Sequence, residues 1–194
     1  QSYKWIGVEI HKEAAEKARH RGVEVVTQDY AELPSLRLEV DVALAVDVIE
    51  HTHDPLEFLA SLASAVRVWG LVIVSTGNTS APTWKLMGSR YWYCHIAEHL
   101  SFINPFWVRG AASQLGLEVE DIHFFSHADG ASVKQKVHET LANLLFRFSP
   151  KLFVRLRNIG LGGIDTDRYP DLALTPPYWM SARDHMLVIF RKIV

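Results

Sequence analysis

Apolar runs alternate with amphipathic stretches through the first half of the chain. The runs with the composition of strands are residues 3–8, 23–27, 41–46 and 71–75. Residues 12–21 carry alanines in a helical pattern, and a second helical pattern opens at Pro55 and runs to Gly70 with its leucines on one face. This regular alternation of strand and helix predicts an α/β fold with a doubly wound, mostly parallel sheet.

The second half continues the pattern around two long segments. It predicts a helix over Pro105–Gln114 and strands over Leu117–Phe125 and Asp184–Arg191. Residues 76–104 are a long connection rich in aromatic side chains, which is typical of a functional lid. Residues 131–179 are a helical insertion before the last strand. Length suggests a single domain over residues 1–194, with the lid and the insertion as its additions.

The insertion carries an amphipathic, basic stretch at residues 141–157. We interpret its helices as a cap whose apolar face covers the active site. The alternatives are a helix pair that lies on a membrane surface, or one that binds an acidic or lipid-like substrate. Gly160, Gly162 and Gly163 follow as a flexible link, and they lie outside any strand-turn-helix unit that would make a phosphate loop.

Polar residues follow the strands where they end. The third apolar run leads into Asp47-Val48-Ile49-Glu50-His51, Glu9 follows the first run, and Asp29 follows the second. Because open α/β sheets bind ligands at the carboxyl ends of their strands, this edge of the sheet is the predicted functional site.

Together with Trp69-Gly70 before Leu71, these residues resemble the Rossmann-like (class I) S-adenosylmethionine-dependent methyltransferases. The segment Asp184–Arg191 is similar to the antiparallel strand that closes the sheet of that family. The family begins with a further, central strand and a glycine-rich G-x-G-x-G turn, whereas this chain opens at Gln1 inside what resembles the second strand. We therefore expect an N-terminally truncated version of the fold, which binds cofactor poorly and self-associates through exposed strand edges.

The resemblance implies that the cofactor is S-adenosylmethionine and indicates which residues bind it. Glu9, with Ile10 beside it, would accept both ribose hydroxyls, and Asp29 would accept the adenine amine. Tyr30 would lie against the adenine ring or lend its backbone amide, while Asp47 and Val48 would line the methionine end.

Each of the three acids has a structural alternative. Glu9 as a solvated charge at a strand end, Asp29 as a turn former and Asp47 as a cap of the following loop are the competing interpretations.

His51 is the candidate catalytic residue, a general base that removes the acceptor's proton as the methyl group moves. The spacing of Asp47, Glu50 and His51 also resembles the metal site of small-RNA 2′-O-methyltransferases and of O-methyltransferases of ubiquinone synthesis. There a downstream histidine completes the site, a role for His99 or His95 here, and magnesium or manganese would suit these ligands. The metal-free base is the favoured interpretation. The alternative to both roles is that Glu50 and His51 hydrogen-bond the loop after Asp54.

The lid supplies candidate substrate contacts. These are Tyr91, Trp92, His95 and His99. Packing of the aromatic side chains inside the lid is an equally weighted alternative.

Composition narrows the class of partner. A net charge of −2 and a pI near 6.6 give no reason to expect nucleic-acid binding. Cys94 is the only cysteine, which fits a reducing cytoplasm, and no apolar run is long enough to cross a bilayer. The predicted function is methyl transfer to oxygen, nitrogen or carbon of a small molecule. The alternative is a non-catalytic methyltransferase-like binding or scaffolding domain.

Overall fold

The computed structural model describes residues 3–26, 28–161 and 175–194. Its strands are β1 Ile6–Val8, β2 Glu24–Val26, β3 Val40–Val46, β4 Val66–Gly77, β5 Leu117–Phe125 and β6 His185–Lys192. Its helices are α1 Lys12–His20, α2 Pro55–Ala65, α3 Pro82–Met87, α4 Pro105–Gln114, α5 Val133–Phe148 and α6 Pro150–Leu156. Strands and helices alternate, so the predicted α/β class is confirmed.

The strands form two sheets. β3, β4, β6 and β5 lie side by side in that order, with β3 parallel to β4 and with β6 antiparallel to both of its neighbours. The predicted antiparallel last strand is therefore confirmed. β1 and β2 form a separate parallel pair. The division between β1 and β3 falls at the position where the family resemblance places a further strand.

One core joins the main sheet to its helices and to the segment that follows the smaller sheet. Val72, Val74 and Phe190 point from the sheet into a cluster formed with α2 and α4. A 3₁₀ segment, Tyr30–Leu36, follows β2 and packs on α2, where it buries Leu33 in the same cluster. This 3₁₀ segment therefore connects the two-stranded sheet to the rest of the protein.

The junction of α2 and β4 differs from the prediction that the helix runs to Gly70. The helix ends at Ala65, and the strand begins at once with Val66, which is paired with Val40 of β3. Residues 67–70 bulge out before the pairing resumes, and Trp69 takes a positive φ of 66°. A Cβ on Gly70 would lie 2.8 Å from the carbonyl oxygen of Asp41, so only glycine fits where the bulge passes close to β3.

A second hydrophobic cluster joins the lid to the helical insertion. It contains Trp84, Tyr91, Trp92, Tyr93, Phe146, Phe153 and Trp179. The lid is thus not a structureless connection, since α3 and two short 3₁₀ turns organise residues 82–95. Gly160 lies in a π-helical turn after α6, and the predicted glycine link at Gly162 and Gly163 lies outside the described residues.

The insertion begins with a helix that is apolar on its outer side as well. Val133, Val137 and Leu141 are exposed at intervals of one turn along α5. None of the described helices combines the length and the apolar character that a membrane span requires.

The edge strand of the main sheet carries apolar side chains that are open to solvent. Val42, Leu44 and Val46 alternate along the edge strand β3, and each is about half exposed, with Leu44 at 55%. The outer edge of β3 has no strand partner in the part of the chain that the structure describes. An exposed apolar edge strand favours pairing with another chain.

We therefore expect the 194-residue chain to self-associate through β3, and Leu44→Lys to raise the monomer fraction by placing a charge on that strand. Sedimentation velocity at several concentrations measures this. Val133→Lys, at another exposed apolar position, is the matched control and should leave the association unchanged. A wild-type chain that stays monomeric at every concentration would contradict the expectation.

Candidate functional site

Glu9 lies at the end of the smaller sheet. Its backbone N–H donates to the carbonyl of Val26 over 3.1 Å, which ties it to the end of β2. Its carboxylate accepts a hydrogen bond of 2.8 Å from the backbone of His11, and one carboxylate oxygen remains for a ligand. Ile10 beside it is 57% exposed, in keeping with an open ligand-facing position.

Asp29 and Tyr30 continue this edge. Asp29 caps the 3₁₀ segment, with its Oδ1 accepting from the backbone N–H of Ala31 at 3.0 Å. The turn-forming role is thus present, and the second carboxylate oxygen is not engaged by it. The ring of Tyr30 packs edge-on against Phe58 at 5.1 Å, and burial, followed by the charge of Glu57, raises the pKa of its hydroxyl.

Asp47 occupies a conformation that is uncommon for a non-glycine residue. Its φ is 50°, its backbone N–H donates to the carbonyl of Ser75 at 3.0 Å, and its carboxylate accepts from the Ser75 hydroxyl at 3.2 Å. Left-handed backbone outside glycine clusters at functional sites, although aspartate tolerates it better than most residues. Val48 follows with 40% of its surface exposed.

Glu50 is a buried carboxylate held on both oxygens. Only 1% of the residue is exposed, Tyr93 donates its hydroxyl to Oε1 at 2.5 Å, and Thr76 donates to Oε2 at 3.0 Å. The Glu50 carbonyl accepts from the backbone N–H groups of Leu100 and Ser101. Burial, with the charge of Glu50 second, strongly raises the pKa of Tyr93, so its hydroxyl remains a donor across the working pH range.

His51 and His99 lie against Glu50. Nδ1 of His51 is 3.0 Å from the carbonyl of Glu98, and Nδ1 of His99 is 3.0 Å from the carbonyl of Tyr93. A carbonyl only accepts, so both Nδ1 atoms carry a proton, and the neutral form of each ring keeps a lone pair on Nε2. One ligand atom from each of Glu50, His51 and His99 lies within 4.8 Å of the others.

This trio contains most of the predicted metal set. Asp47, the fourth predicted member, is not part of it, and its carboxylate is directed at Ser75. Burial lowers the pKa of His99, partly offset by the Tyr93 carbonyl and the charge of Glu50. The trio therefore brings a carboxylate and two imidazoles together, a set that can accept hydrogen bonds or ligate a divalent cation.

The predicted substrate contacts in the lid have different surroundings. Tyr91 is fully buried and donates its hydroxyl to Asp184, and Trp92 is packed in the second hydrophobic cluster. His95 is exposed. His99 is the one that the fold brings beside His51, with ring centroids 4.8 Å apart. Contact of these four residues with a substrate stays a prediction.

Sequence reasoning missed a second polar chain at the same edge. Asp184 and His185 begin β6, and both are fully buried, while His127 follows β5. Asp184 Oδ1 lies 2.9 Å from Nδ1 of His185, whose Nε2 lies 2.9 Å from Nε2 of His127. The sequence signal that could have revealed this set is Asp184-His185, an acid and a histidine at the start of an apolar strand. His127 had no such signal, because only the fold brings it to His185.

The comparisons with known proteins agree with the geometry. Residues 1–122 match a family model described as a methyltransferase domain. A probable S-adenosylmethionine-dependent methyltransferase of Mycobacterium tuberculosis, found in two strains, is 40% identical over 62 residues, which are 32% of this chain and 23% of that protein. The matched part of the chain thus spans about a quarter of the length of these curated relatives.

Solved structures share the fold at low identity. A putative methyltransferase of Bacillus halodurans has a TM-score of 0.59 at 15% identity, over 97% of this chain and 83% of that chain. A methyltransferase of Archaeoglobus fulgidus has a TM-score of 0.54 at 19% identity, over 96% and 75%. The N-methyltransferase NodS of Bradyrhizobium japonicum, solved with S-adenosyl-L-homocysteine, has a TM-score of 0.52 at 9% identity, over 96% and 65%. At these identities the likeness shows the fold alone.

The buried carboxylate gives a stability prediction. Tyr93→Phe removes one donor from Glu50, so we expect the free energy of unfolding to fall by about 1–3 kcal/mol. Urea denaturation measures the change. Tyr178→Phe, at an exposed tyrosine, is the matched control and should cost little. Equal effects of the two variants would show that the Tyr93 hydroxyl does not stabilise the buried carboxylate.

Proposed function

The chain belongs to the family of S-adenosylmethionine-dependent methyltransferase domains, and from this premise we propose that it binds S-adenosylmethionine and transfers its methyl group to a small-molecule acceptor. One observation carries the proposal. Within the segment that matches the family, an acidic residue follows each of the first three strands: Glu9 after β1, Asp29 after β2 and Asp47 after β3. Carboxylates at the carboxyl ends of parallel strands suit an adenosyl ligand.

Each acid has a distinct task in this proposal. Glu9 accepts the ribose hydroxyls with the oxygen that His11 leaves open, and Asp29 accepts the adenine amine with the oxygen that Ala31 leaves open. Asp47 lies at the methionine end, where its positive φ directs the backbone around the cofactor. Ile10, Tyr30 and Val48 would supply apolar contacts, an assignment supported by the exposure of Ile10 and Val48.

The lid and the insertion enclose the acceptor in this proposal. Their shared hydrophobic cluster, which includes Trp92 from the lid and Phe146 from α5, supports treating them as one unit over the sheet edge. Arg147 strengthens the connection, since its guanidinium donates to the carbonyl of Leu86 at 3.0 Å. A lid of this kind excludes water from the reacting methyl group.

The trio of Glu50, His51 and His99 lies on the acceptor side. His51 is the base indicated by the sequence, and the same trio is the candidate cation site. Both oxygens of Glu50 already accept hydrogen bonds from Tyr93 and Thr76, so this carboxylate has partners without a cation. We therefore favour a cofactor set of S-adenosylmethionine without a metal.

The ribose assignment leads to a binding test. Glu9→Ala should weaken binding of S-adenosylmethionine to the full-length protein by about 1–3 kcal/mol, because charge-assisted hydrogen bonds are lost. Isothermal titration calorimetry measures the dissociation constant. Glu13→Ala, at an exposed acid in the first turn of α1, is the matched control. An unchanged constant for Glu9→Ala would remove it from the site, and no binding by the wild type would favour the scaffolding alternative.

The role of the trio is tested by chelation. We expect methyl transfer to survive removal of divalent cations, since no ion is needed to complete the hydrogen bonds of Glu50. Loss of activity on chelation, restored by magnesium or manganese, would instead make His51 and His99 ligands. A fall of about 10²–10⁴ in His51→Ala that is insensitive to chelation would identify His51 as the base. Full activity in both experiments would make the trio structural.

A further inference from the structure

The second polar chain at the sheet edge runs from the protein interior to its surface. Its inner end is Asp184, which is fully buried and accepts from the hydroxyl of Tyr91 as well as from His185. Its outer end is His127, whose residue is exposed. The contacts therefore run from the Asp184 carboxylate through the buried imidazole of His185 to the imidazole of the exposed residue His127.

The hydrogen bonds between these three side chains indicate which nitrogen of each histidine carries the proton. The Asp184 carboxylate accepts from Nδ1 of His185, and in the neutral tautomer of His185 this leaves a lone pair on Nε2. That lone pair, 2.9 Å away, accepts the Nε2–H of His127. Nδ1 of His127 is then the unprotonated nitrogen, and no hydrogen bond to it occurs among the described residues. The buried acid thus presents a bare imidazole nitrogen at the surface.

This set of three side chains lies at the same sheet edge as the proposed methyl-transfer site. His185 is paired with Gly77 at the end of β4 and with Phe125 at the end of β5, so the chain lies at the same sheet edge as Asp47. The charge of Asp47 is close enough to act on the pKa of His127. The ring of His127 lies edge-on to Trp92 of the lid, with centroids 6.1 Å apart.

We propose that His127 takes the proton of the methyl acceptor, with His185 and Asp184 as positioning residues. The proposal rests on the proposed function and assigns the base role to His127 instead of His51. A bond forms between the acceptor oxygen and the methyl carbon, and the sulfur–methyl bond breaks with its electron pair going to sulfur. The acceptor proton goes to Nδ1 of His127, and the Nε2 proton of His127 moves to His185 beside the Asp184 carboxylate.

A general base at His127 also indicates the chemical class of the methyl acceptor. A neutral amine attacks the methyl group through its own lone pair and needs no base in that step. A hydroxyl oxygen becomes a good nucleophile only as its proton leaves, and this is the step that a backed imidazole accelerates. Between an amine and a hydroxyl acceptor, the base therefore favours a small molecule with a reacting hydroxyl, and the product is a methyl ether.

The surroundings of His127 favour its neutral, accepting form. Burial and the neighbouring His185 lower the pKa of His127, while Asp184 and Asp47 raise it. Asp129 in the following loop accepts from Ser126, and the rings of Phe125 and Trp92 complete the surroundings. Neutral imidazole is thus favoured near pH 7, with acidic groups close by to stabilise the cation that forms during transfer.

The tautomer is the first test and requires no acceptor. Long-range ¹H–¹⁵N spectra of the full-length protein labelled at histidine nitrogens should show His127 protonated on Nε2 alone at neutral pH. Asp184→Asn should change this protonation pattern. The asparagine amide can donate to Nδ1 of His185, and the direction of both hydrogen bonds would then be reversed. His123→Gln, at an exposed histidine of β5, is the control and should leave the His127 signal unchanged. A proton on Nδ1 of wild-type His127 would overturn the proposal.

The second test measures catalysis with a panel of phenols and anilines of matched ring substitution. His127→Gln should lower kcat for O-methylation about 10²–10⁴-fold and remove the acidic limb of the pH profile, with the dissociation constant of S-adenosylmethionine unchanged. Unchanged O-methylation in His127→Gln, or methylation of anilines only, would overturn the proposal while the proposed function stands. Absence of cofactor binding in the wild type would instead count against the proposed function.

Discussion

Two carboxylates buried at one edge of the sheet constrain the arrangement of the site. Glu50 and Asp184 have almost no exposed surface, and a buried carboxylate without donors would cost several kcal/mol. The protein supplies the donors from the lid, where Tyr93 bonds Glu50 and Tyr91 bonds Asp184. The conformation of the lid therefore depends on satisfying two charges that belong to the sheet edge.

Two tyrosines on either side of Trp92 allow the lid to contact both acids. Tyr91 and Tyr93 direct their hydroxyls to different acids, and Trp92 between them packs against His185 with a ring separation of 6.3 Å. The aromatic rings fill the second hydrophobic cluster, so the same residues supply apolar packing and polar donors. The two alternatives for this segment, substrate contact or packing, are therefore incomplete, because the tyrosines also donate hydrogen bonds to the two buried acids.

The sequence predicted the features that depend on local pattern. The strand over Leu117–Phe125 and the helix over Pro105–Gln114 have the predicted bounds. Pro105 marks the start of the helix, and Gly116 separates the helix from the strand. The predicted end of α2 was wrong. The helical pattern continues beyond Ala65, but the pairing of Val66 with Val40 outweighs it, and this contact joins residues that are distant in sequence.

The site divides in the same way. Acids at strand ends were visible in the sequence, whereas the approach of His127 to His185 joins positions 58 residues apart and depends on the pairing of β5 with β6. The trio of Glu50, His51 and His99 was partly visible because Glu50 and His51 are adjacent. The position of His99 beside them follows from the backbone bonds that Leu100 and Ser101 make to Glu50.

The division into two sheets gives the proposed cofactor a structural task as well as a chemical one. Glu9 and Asp29 belong to the two-stranded sheet, and Asp47 belongs to the main sheet. The 3₁₀ segment that packs on α2 connects these sheets through an apolar contact that buries Leu33. A ligand held by acids on both sheets binds only when they are correctly placed, so its binding free energy also stabilises that placement. Cofactor affinity and the docking of the smaller sheet are then linked properties, and a substitution that loosens Leu33 would weaken binding without touching the ligand.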